Sequence, residues 1–186
     1  MRPFLVQPPG FDPQPTLEGD NLVVRPLVEA DREGLYAAAR DPLVWAGHPA
    51  TDRHERAVFD PYVTFLLGTG ASLAIAERGG RVIGTSTYYV EPGTAPPRLS
   101  IGFTFLARDH WGGATNRSLK ALMLGHLFGH ADEAWFHIAP SNVRSQRATA
   151  KLGARRHGRA TLDLGGGPQD WEQYVFARGD WNAGAP

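Results

Sequence analysis

Cysteine is absent from this chain, which removes three kinds of chemistry at once: a disulfide framework, a thiol nucleophile and a thiolate metal site. Lysine is nearly absent; Lys120 and Lys151 stand alone among 19 basic residues, the others being Arg. Those 19 balance 19 acidic residues, so the formal net charge is +0. Nothing in that balance favours non-specific attraction to nucleic acid or to an anionic membrane, and neither partner is expected. No run approaches the ~18 apolar residues that a membrane span requires. The opening residues, Met1-Arg2-Pro3-Phe4-Leu5-Val6, lack the long apolar stretch of a secretory signal, so a cytoplasmic location is the default expectation. Internal repeats and low-complexity blocks are missing as well.

What is present suits one globular domain. With 186 residues, 42% of them hydrophobic and 20% charged, the chain can bury a sizeable core but is short for two domains. The Pro-rich residues 1–19 read as an irregular arm, 20–178 as the domain and 179–186 as a tail. Strand patterns are expected at 21–27, Ser72–Glu77, 81–90, Leu99–Leu106, 135–138, 155–164 and 169–177. Helices are expected at 29–40, 55–67 and 118–128, with a further one beginning at Asn142-Val143-Arg144-Ser145. Pro61 predicts a break or a late start in the second of these. Arg78-Gly79-Gly80 predicts a hairpin turn. The resulting order, β-α-α-β-β-β-α-β-α-β-β, describes an α/β (α+β) domain with a mixed central sheet and flanking helices.

Two local patterns carry chemistry. After the strand Leu99–Leu106 comes Ala107-Arg108-Asp109-His110-Trp111-Gly112-Gly113-Ala114-Thr115-Asn116-Arg117, and then a helix whose Leu119, Leu122, Met123 and Leu127 share a face. A small-residue turn that opens a helix aims backbone N–H groups and the positive helix end outward, which suits a phosphate. Arg117 and Lys120 lie near that start and could add charge. Read alone, the same turn is more simply a structural Gly-Gly corner before a core helix. Downstream, Asn142-Val143-Arg144-Ser145 and Lys151-Leu152-Gly153-Ala154 bracket a short helix. Asn142 is a natural N-cap there, a purely structural role. Arg144 and Arg147 suit either phosphate binding or a solvated helix face.

Together these patterns resemble the acyl-CoA-binding core of the GCN5-related N-acetyltransferases (GNAT), in particular the RimJ/RimL-like branch. The likeness runs over about residues 20–178. The superfamily turn reads Q/R-x-x-G-x-G/A, and this chain departs from it: Trp111 stands first, Ala114 at the glycine and Asn116 last. The resemblance implies transfer of an acetyl group from acetyl-CoA to a primary amine, either a protein N-terminus or a small molecule, with no metal. It implies cofactor contacts from Phe105, Leu106, Ala107, Trp111, Gly112, Gly113, Ala114, Thr115, Asn116, Arg117, Asn142 and Arg147. By the same likeness Ser145, with Asn142, is the catalytic candidate, the serine hydroxyl meeting the departing thiolate. The strand Leu99–Leu106 would splay from its neighbour, with Gly102 at a bulge or a close approach.

The general base is open. Many relatives carry Glu two residues beyond the turn Asn, where this chain has Ser118. Glu91, Asp163, Asp170 and Tyr88 are candidates, as is deprotonation through solvent. The seven His are scattered; His126 and His130 lack the acidic partner of an H-E-x-x-H motif. An alternative reading is a GNAT-like CoA-binding or regulatory domain without turnover. A nucleotide-binding domain is disfavoured, since neither G-x-x-x-x-G-K-[ST] nor G-x-G-x-x-G occurs. Trp171, Tyr174, Val175 and Phe176 give residues 169–177 more apolar surface than one core face needs, from which a homodimer is expected.

Overall fold

A computed structural model describes residues 8–181, so residues 1–7 of the expected arm and 182–186 of the expected tail lie outside it. Eight strands form one sheet: β1 (Leu17–Glu18), β2 (Leu22–Pro26), β3 (Ser72–Glu77), β4 (Val82–Val90), β5 (Leu99–Leu106), β6 (Glu133–Ile138), β7 (Arg155–Asp163) and β8 (Pro168–Ala177). Their spatial order is β1-β2-β3-β4-β5-β6-β8-β7. Every neighbouring pair is antiparallel except β5 and β6. Four helices flank the sheet: α1 (Arg32–Ala39), α2 (Arg56–Leu67), α3 (Thr115–Leu127) and α4 (Val143–Lys151). None is long and apolar enough to cross a membrane.

The expected elements are found in the expected order, with three differences. The Pro-rich segment contributes strand β1, and its Phe11 is buried against Tyr88 and between the rings of His126 and His130. Those two His hold the segment in place, His126 Nε2 meeting the Asp12 carbonyl at 2.7 Å. Helix α2 runs unbroken through Pro61. Proline removes one N–H there, while burial of Phe59, Tyr62, Val63 and Leu66 keeps the helix on the core. Helix α3 begins at Thr115, a turn earlier than the apolar spacing predicts, because its first turn carries polar residues that periodicity does not register.

Within α3 the buried face is Leu119, Lys120, Met123, Leu124 and Leu127, while Leu122 is half-buried against Gly19. Lys120 is thereby drawn inward with the apolar face. Strand β8, paired on one side with β6 and on the other with β7, buries Tyr174 and Phe176. Trp171 and Val175 of the same strand are half-buried.

Candidate active site

The site begins at a fork. Strands β5 and β6 run parallel and pair at Ser100 and Trp135, then diverge, so β5 beyond Ser100 has no ladder partner from β6. On its other side β5 bulges: the β4 register shifts between Thr85 and Thr87, setting Ser86 against both Phe103 and Thr104. Phe103 takes φ 50, a left-handed conformation that costs a bulky residue energy and persists where the surroundings enforce it. The strain sits at Phe103, one residue beyond the Gly102 of the sequence expectation. Gly102 serves the close approach: a Cβ there would lie 2.8 Å from Cε1 of Tyr89, whose ring crosses it.

A cavity of about 550 Å³ fills the fork. Phe105, Leu106, Trp111, Gly112, Gly113, Asn116, Asn142 and Ser145 stand on its wall. Ala107, Ala114, Thr115, Arg117 and Arg147 do not. Ala107 is buried, its N–H donating to the Ile83 carbonyl, and Ala114 takes the cap position of α3. Arg117 and Arg147 are exposed. Arg144, and not Arg147, lines the cavity, its guanidinium 3.5 Å over the Trp111 ring. Desolvation and the neighbouring Arg108 lower its pKa.

At the opening of α3, Gly112 adopts φ 75, which turns the chain into the helix. No side chain caps Ala114, and the N–H groups of Thr115, Asn116 and Arg117 precede the first intrahelical bond, donated by Ser118 to Ala114. At α4, Asn142 both caps the helix, its Oδ1 accepting from the Ser145 N–H at 3.1 Å, and faces the cavity. The structural and the ligand-facing roles coincide in one residue.

Several wall residues take roles that the sequence did not signal. Lys120 reaches from α3 to Thr104, Nζ donating to Oγ1 at 3.2 Å, and burial pushes its pKa down to about 7. Arg53 lies flat on Tyr62, 3.9 Å from the ring centre, beside Trp45. His48, also on the wall, is held neutral: burial and Arg53 push its pKa down to about 4. Arg53, Lys120 and Arg144 make the wall cationic, and among the described residues no carboxylate lines it. That balance suits a polyanionic ligand.

Of the base candidates, Tyr88 faces away and donates to the Met123 carbonyl. Asp163 Oδ1 accepts from the N–H groups of Gly165 and Gly167 in the β7–β8 turn. Asp170 accepts from Thr161 on the exposed surface. Glu91 is buried beside His137, Arg98 and Gln173.

The family is decided by a match between residues 21–155 and the model of the Acetyltransferase (GNAT) domain, which spans well over half the chain. The chain belongs to the GNAT family. It is an acyl-CoA-dependent acetyltransferase, and GNAT acetyltransferases use acetyl-CoA as their donor. No curated protein matches the sequence. Among solved structures, a protein of T. thermophilus provisionally named an acetyltransferase shares 26% identity, with 89% of this GNAT chain and 90% of that one covered and a TM-score of 0.66. A GCN5-related N-acetyltransferase from Brucella melitensis is 18% identical, covers 92% and 85%, and has a TM-score of 0.72. RimJ of Mycobacterium smegmatis, solved with CoA-disulfide, is 18% identical over 86% and 83%, with a TM-score of 0.61. The last two speak for the fold alone.

Proposed function

We propose that this GNAT protein transfers the acetyl group of acetyl-CoA to a primary amine, as a RimJ/RimL-like enzyme, by direct attack in a ternary complex. The observation that carries the reading is a single cavity joining the α3 turn, the start of α4 and the β5–β6 fork. The free N–H groups of the α3 turn, with Arg144 beside them, suit the pyrophosphate. The unpaired edge of β5 suits the amide groups of the pantetheine arm, and the bulge at Phe103 suits the thioester carbonyl. Ser145 is the group for the sulfur. A CoA thiolate, near the ordinary thiol pKa of about 8.5, needs no more than a positioned hydroxyl. With no Cys in the chain, an acyl-cysteine intermediate is excluded, which supports attack by the amine on the donor itself. The acceptor is a protein N-terminus or a small-molecule amine.

Two measurements test this. Thermal shift with CoA, ATP and NAD should show stabilisation by CoA alone of the three. Acetyl-CoA consumption across a panel of amino acids, small alkylamines and short peptides should then find an accepted amine. Stabilisation by CoA with no consumption on any amine would point to a CoA-binding domain without turnover.

A further inference from the structure

Direct transfer needs a group that relieves the acceptor ammonium of its proton, and the cavity wall itself bears no carboxylate. Behind the wall lies a chain of three side chains. Tyr89 on β4 and His137 on β6 meet at the fork, Tyr89 Oη to His137 Nδ1 at 2.7 Å, and both line the cavity. His137 lies two residues past Trp135, where β6 last pairs with β5, so the contact bridges the widening gap. The other ring nitrogen, Nε2, stands 3.3 Å from Oε2 of Glu91. Glu91 in turn accepts from Gln173 Nε2 at 2.7 Å and from Arg98 Nη1 at 3.2 Å. The side chains of His137 and Glu91 are 0% and 5% exposed.

We propose that Tyr89, His137 and Glu91 form the proton relay that deprotonates the acceptor amine, an assignment that rests on the acetyl transfer proposed above. The polarity of the chain follows from its surroundings. Burial, reinforced by Glu91, raises the Tyr89 pKa, so its hydroxyl stays a donor and His137 Nδ1 accepts. Burial by itself would raise the Glu91 pKa, but its hydrogen bond with His137 and the hydrogen bond and charge of Arg98 outweigh it and hold the carboxyl below its usual range. Glu91 is therefore an anion that orients the His137 Nε2–H, the arrangement of a base held by a third group. The ammonium proton passes first to Tyr89 Oη; the freed amine nitrogen then bonds to the thioester carbon as the C–S bond breaks, and its second proton goes to the departing thiolate. The Tyr89 proton moves to Nδ1, and the imidazolium rests against Glu91. The thiolate leaves toward Ser145. Gly102 has a reason in this scheme, since any side chain there would displace the Tyr89 ring. The other charged or titratable groups facing the fork are Lys120 from α3, Arg53 and His48 from the loop before α2, Tyr62 from α2, His110 from the turn before α3, Arg144 from α4, and Arg98 behind Glu91. Lys120, held by Thr104 and approaching Phe136, is on a separate branch of the wall.

The test compares Tyr89→Phe and His137→Gln with the native chain, using calorimetric CoA binding to show that each variant is folded and loaded. With an amine accepted in the panel, kcat/KM is followed from about pH 6 to 10. The relay predicts a loss of roughly a hundredfold at pH 7. That deficit should shrink to within about fivefold near pH 10, where an alkylamine releases its own proton. An equal deficit at every pH marks a structural network and overturns the relay, as does no deficit. If no amine is accepted, the transfer reading has failed on its own terms, and the relay is judged by 15N shifts of the CoA-bound protein at pH 7. A neutral His137 carrying its proton on Nε2 supports it; a proton on Nδ1 overturns it.

Discussion

Ser145 and Lys120 pose opposite questions at the scale of single residues. Ser145 sits in the first turn of α4, its backbone engaged by Asn142 and its side chain on the cavity wall. If it acts on the sulfur alone, its contribution falls in the transition state, so Ser145→Ala should lower turnover ten- to a hundredfold with CoA affinity unchanged. That is about 1.4–2.8 kcal/mol of barrier. Steady-state rates with calorimetric CoA binding check this, and full turnover would reduce Ser145 to a residue of the helix start. Lys120 instead carries a cost. Its amine titrates near 10.5 in the unfolded chain and at about 7 in the fold, because burial disfavours the ammonium. Between those values the unfolded state binds the extra proton, so stability rises with pH from about 7 to about 10.5, and below 7 the full penalty is present. In the absence of CoA, Lys120→Met should stabilise the fold most at pH 6, by roughly 2–5 kcal/mol in denaturant unfolding, and much less at pH 10.5. A gain independent of pH would mean that Lys120 is not buried as an ammonium. Its burial was invisible in the sequence because a lysine four residues from Asn116 looks like surface charge until the helix rotation is known.

Among the elements, the turn into α3 is where spacing said most. The order strand, Gly-Gly turn, helix was legible from period and punctuation, and the turn does open onto the cavity. A Cβ at Gly113 would meet no atom within 4 Å, and the same holds for Gly79 in the β3–β4 hairpin. Neither glycine has a positive φ. Val at the two positions is therefore matched in its effect on the fold, and a ligand on the α3 turn is what separates them. Gly113→Val should weaken CoA binding at least tenfold, while Gly79→Val leaves it within about twofold; equal dissociation constants by calorimetry would remove the turn from the binding site. What spacing missed at this scale is the place of the bulge, at Phe103 and not Gly102, and the early start of α3. The first depends on how β4 is registered on β5, and the second lies in polar residues without an apolar period.

At the scale of the whole molecule, the expected dimer rested on the apolar residues of β8, two of which the fold buries. Strand β8 lies inside the sheet, and Phe176 packs on Phe128 and Trp181 while Tyr174 donates to Gln146. The edge on this side is β7, whose exposed Arg155, Arg156 and Arg159 discourage pairing with another strand; the other edge is the two-residue β1. Large exposed apolar side chains among the described residues are Val28, Leu43 and Val143, too few for an apolar interface. Light scattering at tens of micromolar should give the mass of one chain, 20.3 kDa. A mass near twice that would show that copies associate through another face.

The sequence by itself determined what local physics controls. Alternation and helical period set the kind and order of the elements, Gly79-Gly80 the hairpin, Asn142 the helix start, and the absence of Cys the exclusion of an acyl-enzyme thiol. Only the tertiary structure decided which side chains meet. Tyr89 and His137 are 48 positions apart, Gln173 and Glu91 82 apart, and their contacts exist because β5 intervenes with a glycine and then parts from β6. Lys120 turned inward, Arg144 turned onto Trp111 and Arg53 turned onto Tyr62 for the same reason. The direction of a side chain is set by the packing of its whole element, and no residue's neighbours in sequence report it.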